Sequence, residues 1–310
     1  MSQRWRRVLR VAGSIAILAV LVTVLPSGSL RSALAEASSG VLAVALITFF
    51  LCHLAAALKW RMLMGRTGDV SVRKAFRAHF TGLVGNLSPL GMIGGDIVRA
   101  GVALNGSSQP ATIMVTSIVD RIVDTGALLV LTLVGFVWIG GRSATAEAVL
   151  WGGLALLVVG VGAAVAAAWV LRRSGGARLA GIREALGVLV ERPGLIVRAL
   201  LMSVTVQGAL IAANAYIGSA VGVESSFGAW LMAWPAAKIA AYLPIGIAGI
   251  GVRESAMIAL MRPLGGAPGP VLAAGLLWDG VLIAGAVLGW LVLCVLPGLR
   301  PAVLRRSQIP

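Results

Sequence analysis

The chain has 310 residues, 59% of them hydrophobic and only 12% charged, with a mean hydropathy of +0.97. Soluble domains carry roughly a quarter charged residues, so a soluble globular protein is excluded; the length leaves room for about six to eight membrane helices at ~20 residues each. The net charge of +15 does not point to nucleic acid, because the basic residues cluster in short segments between apolar runs, the pattern that sets membrane topology.

The first apolar run, residues 8–25, follows Arg4, Arg6, Arg7 and Arg10 and should start in the cytoplasm. It also imitates a signal peptide, with Ala33-Leu34-Ala35 as a cleavage motif, but a multipass chain is expected to keep it. The second run, 40–58, ends in Lys59, Arg61, Arg66, Arg73, Lys74 and Arg77, again a cytoplasmic flank. A short apolar piece, 75–84, is too brief to cross a ~30 Å core. It reads as the first arm of a re-entrant hairpin whose second arm is 97–104. Run three, 111–139, carries Asp120, Arg121 and Asp124; run four is 150–171. Arg172, Arg173, Arg178, Arg183, Arg192 and Arg198 mark the cytoplasm once more. Run five is 196–221. A second hairpin is expected from 227–243 and 250–264, and run six, 271–296, leads to Arg300, Arg305 and Arg306. The predicted outer loops hold only Arg31, Arg142 and Arg262, so both termini are expected on the cytoplasmic side of the inner membrane.

The expected fold is therefore all-α and polytopic, one integral domain over 1–310. It has about six full transmembrane helices plus two re-entrant hairpins. The phrase Pro89-Leu90-Gly91-Met92-Ile93-Gly94 returns half the chain later as Pro244-Ile245-Gly246-Ile247-Ala248-Gly249. The hairpins enter from opposite faces, which makes an inverted repeat of halves near 40–140 and 196–296; helices 8–25 and 150–171 stand outside it. Paired Pro/Gly breaks at matching places in two apolar halves point to a transporter with a binding site near the midplane.

Charged side chains at membrane depth cost at least ~2.5–3.5 kcal/mol each on insertion scales. Asp96, Arg99, Asp120, Arg121, Asp124, Arg253, Glu254 and Asp279 all fall there. They read either as internal salt bridges or as a substrate site. Arg99 and Arg253 are the leading ligands, since each follows a Gly-rich break and guanidinium forks suit phosphate. Gly94, Gly95, Gly249 and Gly251 would let backbone N–H groups approach an anion, or would serve helix packing. Asn86 and Ser88 would add hydrogen bonds. Asp120 and Asp124, i,i+4 on one helical face, read as a clamp for Arg99 or Arg253, or as a proton acceptor. Lys238 is expected to snorkel to the outer interface. Trp5, Trp60, Trp138, Trp151 and Trp290 read as an interfacial belt. Cys52 and Cys294 read as buried thiols. His53 and His79 are too isolated for a metal site, and no cofactor is expected.

The motifs Asn86-Leu-Ser-Pro89, Gly94-Gly95-Asp96-Ile-Val-Arg99, Asp120-Arg121-Ile-Val-Asp124 and Gly249-Ile-Gly251-Val-Arg253-Glu254 resemble the lysylphosphatidylglycerol synthase transmembrane-region family, also called flippase-like. The resemblance covers about residues 10–300. It implies translocation of an anionic or headgroup-modified lipid, or of a polyprenyl-phosphate-linked carrier, with these motif residues as site positions. No soluble aminoacyl-transfer domain follows Leu296, so lysyl transfer by this chain is not expected, and the chain reads as a transporter, not an enzyme. The expected partner is a membrane lipid, with envelope-biosynthesis enzymes and a second copy of the chain as further candidates. Competing readings are a membrane enzyme acting on a lipid carrier, a scaffold subunit of an envelope-biosynthesis complex, and a small-solute or ion transporter.

Overall fold

The computed structural model of the chain describes residues 37–65, 70–87, 91–140, 191–241 and 250–295, with isolated positions at 32 and between 147 and 187. The run 8–25, most of 150–171, Ser88 and the second Pro/Gly phrase (244–249, Gly249 included) lie outside the described residues. Among those that are described there are eight α-helices and no strand. They are α1 (Ser39–Leu63), α2 (Val72–Asn86), α3 (Gly91–Leu104), α4 (Pro110–Trp138), α5 (Pro193–Ala220), α6 (Phe227–Ala240), α7 (Val252–Met261) and α8 (Pro268–Val295).

Local chemistry sets these bounds. The hydroxyls of Ser38, Ser71 and Ser226 accept from the N–H groups of Val41, Lys74 and Ala229 at 3.2–3.3 Å, satisfying first-turn donors of α1, α2 and α6. Pro110 and Pro193 open α4 and α5, where a missing N–H costs nothing. Gly251 precedes α7 with φ +86°, a left-handed conformation that suits glycine.

Four helices, α1, α4, α5 and α8, are long and apolar enough to cross a membrane. Their outer faces expose Ile47, Leu51, Ile118, Val137, Leu201 and Val292. Water does not favour apolar surface on that scale, whereas lipid does. The chain is a membrane protein. The other four helices have 10 to 15 residues. At 1.5 Å per residue they reach ~15–22 Å, short of the ~30 Å core. They form two pairs, α2 against α3 and α6 against α7.

Helix contacts follow one rule. Exchanging α1–α4 with α5–α8 maps the packed pairs onto themselves. Thus α2·α8 answers α4·α6, α3·α4 answers α7·α8, α1·α8 answers α4·α5, and α1·α5 is its own counterpart. Each short pair packs against the long helix of the other half.

The first Pro/Gly phrase was expected to be a break through Gly94 and Gly95, but α3 already starts at Gly91. The reason is close packing. A Cβ on Gly95 would lie 1.8 Å from Asn86 Oδ1 and 2.5 Å from the Gly82 carbonyl oxygen of α2. Backbone cannot retreat as a side chain can. Gly95→Ala should therefore lose at least ~1–3 kcal/mol, measured by thermal unfolding in detergent. Gly101→Ala, with nothing within 4 Å of the added carbon, should be neutral or slightly stabilising. Equal behaviour of the two variants would refute this account of the hairpin.

Candidate functional site

Two ion-pair clusters lie inside the bundle. The first joins α1, α3, α4 and α5. Arg99 donates to Asp120 (Nη1–Oδ2 3.0 Å) and lies 3.7 Å from Asp96. Its guanidinium stands 4.8 Å above the Trp60 ring, a cation–π distance. Lys59 forms an ion pair with Asp120 at 2.9 Å and donates hydrogen bonds to Asp124 and to Ser203, the latter at 2.7 Å. Ser203 in turn donates to Asp124 at 2.7 Å. Arg121 pairs with Asp96 at the more exposed edge. Lys59, Arg99 and Asp120 are almost wholly buried.

The second cluster joins α6, α7 and α8. Arg253 donates to Glu254 Oε1 through Nε at 3.0 Å and Nη2 at 2.8 Å, and also to Asp279. The guanidinium lies 5.6 Å from the Trp234 ring, which meets Trp278 edge-on at 5.5 Å. Glu254 has no exposed surface. Its Oε2 accepts from the Gly251 N–H at 2.6 Å, so one carboxylate both caps α7 and neutralises Arg253. The clusters share a plan: an arginine on a short helix, an aspartate on the following long helix, and a tryptophan against the guanidinium.

A cavity of about 130 Å³ lies between helices of the two halves. That is smaller than the ~300–1,000 Å³ pockets that enclose drug-sized ligands, and suits a headgroup fragment. Its polar wall is His53, Asn86, Lys238, Arg253 and Asp279; Phe49, Trp234, Trp278 and aliphatic side chains supply the rest. Among the described residues, Asp279 Oδ2 has no hydrogen-bond partner. Beside this cavity, an apolar groove of about 280 Å³ runs between α1, α2 and α8 along Phe50, Phe76, Phe80 and Val292.

Several sequence expectations need correcting. Arg99 and Arg253 do not line the same cavity among the described residues: Arg253 faces it, while Arg99 is held by Asp120 and against Trp60. Asp120 does clamp Arg99, but Asp279 and Glu254, not Asp120 or Asp124, hold Arg253. Lys59, expected among the flanking charges that follow the second run, is 1% exposed and buried among carboxylates. Trp60, expected in an interfacial belt, is completely buried, whereas Trp138, Trp151 and Trp290 are exposed. Lys238 turns inward to Gln207 Oε1 at 2.8 Å instead of snorkelling outward. His53 and His79 are far apart in sequence, but α1·α2 packing brings Nδ1 and Nε2 to 3.0 Å. No group of three or more metal-binding side chains occurs among the described residues. Cys52 is a buried free thiol and Cys294 a partly buried one.

Lys59 had a readable signal. Ala45, Phe49, Cys52, Lys59 and Leu63 fall on one helical stripe, all buried, while Arg61 lies off it and is exposed. Periodicity separates the two cations where simple charge counting does not.

The family model for the lysylphosphatidylglycerol synthase TM region matches residues 7–299, nearly the whole chain. The chain belongs to that family. No curated protein matches it. Membership in a lysylphosphatidylglycerol synthase TM family accounts for the apolar helices and connects this membrane protein with lipid handling. Three of the four motifs that carried the resemblance contribute to the clusters: Asp96 and Arg99, Asp120 to Asp124, and Arg253 with Glu254.

Proposed function

We propose that this protein translocates an anionic or headgroup-modified lipid, or a polyprenyl-phosphate-linked carrier, across the cytoplasmic membrane, with both termini inside. The observation that carries this reading is a charged, headgroup-sized cavity walled by both halves and flanked by a wholly apolar groove. A polar head beside Arg253 would leave its hydrocarbon chain in the groove or in the surrounding lipid. The exchange of helix contacts between α1–α4 and α5–α8 supports an inverted repeat. Rocking of one half against the other would expose the cavity to each side in turn. Arg99, Asp120 and Lys59 brace the first half in this scheme, so the phosphate site is assigned to the Arg253 side alone.

The test uses the full chain in proteoliposomes with labelled phosphatidylglycerol and labelled polyprenyl phosphate. Wild type should flip at least one of them. Ala286→Leu, which adds an isopropyl group to the cavity wall, should remain folded and abolish the protein-dependent rate. Undiminished flipping by that folded variant, or no flipping of either lipid by wild type, would sink the proposal.

A further inference from the structure

Charge on the cavity wall comes from three side chains, Lys238, Arg253 and Asp279. Arg253 and Asp279 bond each other, and Arg253 is also bonded by Glu254. Two carboxylates take its Nε and Nη2 donors and neutralise its charge, so an incoming anion meets a guanidinium that is already compensated. Lys238 differs. It makes no ion pair among the described residues, and its ammonium is held by a neutral group, the Gln207 carboxamide, at 2.8 Å. An ammonium has three donors; Gln207 takes one.

We propose that Lys238 is the side chain that binds the phosphate of a lipid headgroup in this cavity, with Gln207 as its partner when the cavity is empty. This rests on the lipid-translocating reading and deepens it. Position supports the assignment. Lys238 is one turn beyond Trp234 on α6, and both face the cavity. His53 and Asn86 of the other half also contribute to the wall, so an anion at Lys238 touches both halves. Gln207 is 5% exposed, so the group that holds the ammonium is itself buried. The Lys238 charge is thus poorly compensated in the empty cavity, and an anion that enters gains a charge-assisted hydrogen bond in a place of low dielectric.

A structural role, in which Lys238 merely ties α6 to α5, makes different predictions. Equilibrium binding to the detergent-solubilised full chain would be measured for phosphatidylglycerol and polyprenyl phosphate, and for diacylglycerol and polyprenol as phosphate-free controls. Lys238→Met should weaken phosphate-bearing lipid roughly tenfold to a hundredfold, the equivalent of one charge-assisted hydrogen bond, and leave the controls unchanged. Lys238→Arg should retain most affinity. Gln207→Leu, which breaks the tie but keeps the ammonium, should bind phosphate lipid as tightly as wild type or more so. Dependence on Lys238 for only one of the two phosphate lipids would identify the substrate source and support the assignment. Wild-type affinity in Lys238→Met overturns it, as does equal loss for phosphate lipids and controls, or a Gln207→Leu defect as large as that of Lys238→Met. Flipping assayed in parallel keeps the two proposals apart. A wild type that flips with no Lys238 effect on binding refutes only this assignment. Lys238-dependent binding without flipping refutes only the transport reading.

Discussion

Replacing Asp120 by Ala should destabilise the protein by about 3–5 kcal/mol, the usual loss when one partner of a buried ion pair is removed. Asp120 is 2% exposed and stands between Lys59 and Arg99, themselves 1% and 4% exposed. The variant would strand two buried cations. Asp124 and Asp96 still hold part of that charge, which puts the loss below that of two fully orphaned ions. Thermal unfolding in detergent is the measurement. Adding Lys59→Met to Asp120→Ala should recover part of the loss, because an apolar side chain at position 59 has no charge to strand. A single variant within ~1 kcal/mol of wild type would show that the cluster does not brace the bundle.

The second large effect is expected at Glu254. Glu254→Ala removes the cap on the Gly251 N–H, worth about 1 kcal/mol, together with both hydrogen bonds that Arg253 makes to Oε1. The expected total is again about 3–5 kcal/mol. Glu254→Gln keeps an acceptor for the cap but not the charge, so it should lie between wild type and Ala. Hydrogen exchange localises the effect: the first-turn amides of α7 should lose protection in Ala and keep most of it in Gln. Equal exchange in the two variants would remove the capping role. Gly275 on α8 belongs to the same arrangement, since a Cβ there would approach Glu254 Cγ to 2.9 Å.

The long helices were legible because ~20 apolar residues in a row have few other fates, and the four in the described residues fall within a few positions of where hydropathy put them. The four short helices were legible as short apolar arms beside Pro and Gly, and their packing in two pairs is what the structure adds. Individual charges were harder. Lys59 and Arg61 stand two residues apart at the end of one helix, and one is buried while the other faces out; composition alone treats them as the same. The Arg99–Asp120 and Arg253–Asp279 pairings depend on which short helix folds against which long one, a matter of tertiary packing. His53 and His79 meet only because α1 and α2 pack together, and no local pattern encodes that contact. Gly95 was ambiguous between anion approach and helix approach; the Gly82 carbonyl and the Asn86 side chain beside it favour helix approach.

The exchanged packing also bears on how the chain is made. Helix α2 leans on α8, which the ribosome delivers much later, and Gly289 of α8 is the notch that receives the Phe80 ring of α2, with a missing Cβ that would lie 2.4 Å from it. At ~5–20 residues per second, synthesis of the intervening segment takes on the order of ten to forty seconds. Throughout that interval α2 has α1 and α3 beside it but the face that meets α8 is uncovered, and that face must be shielded by lipid, by the insertion machinery or by a chaperone. The N-terminal half thus waits on a helix made much later, whose arrival closes this contact.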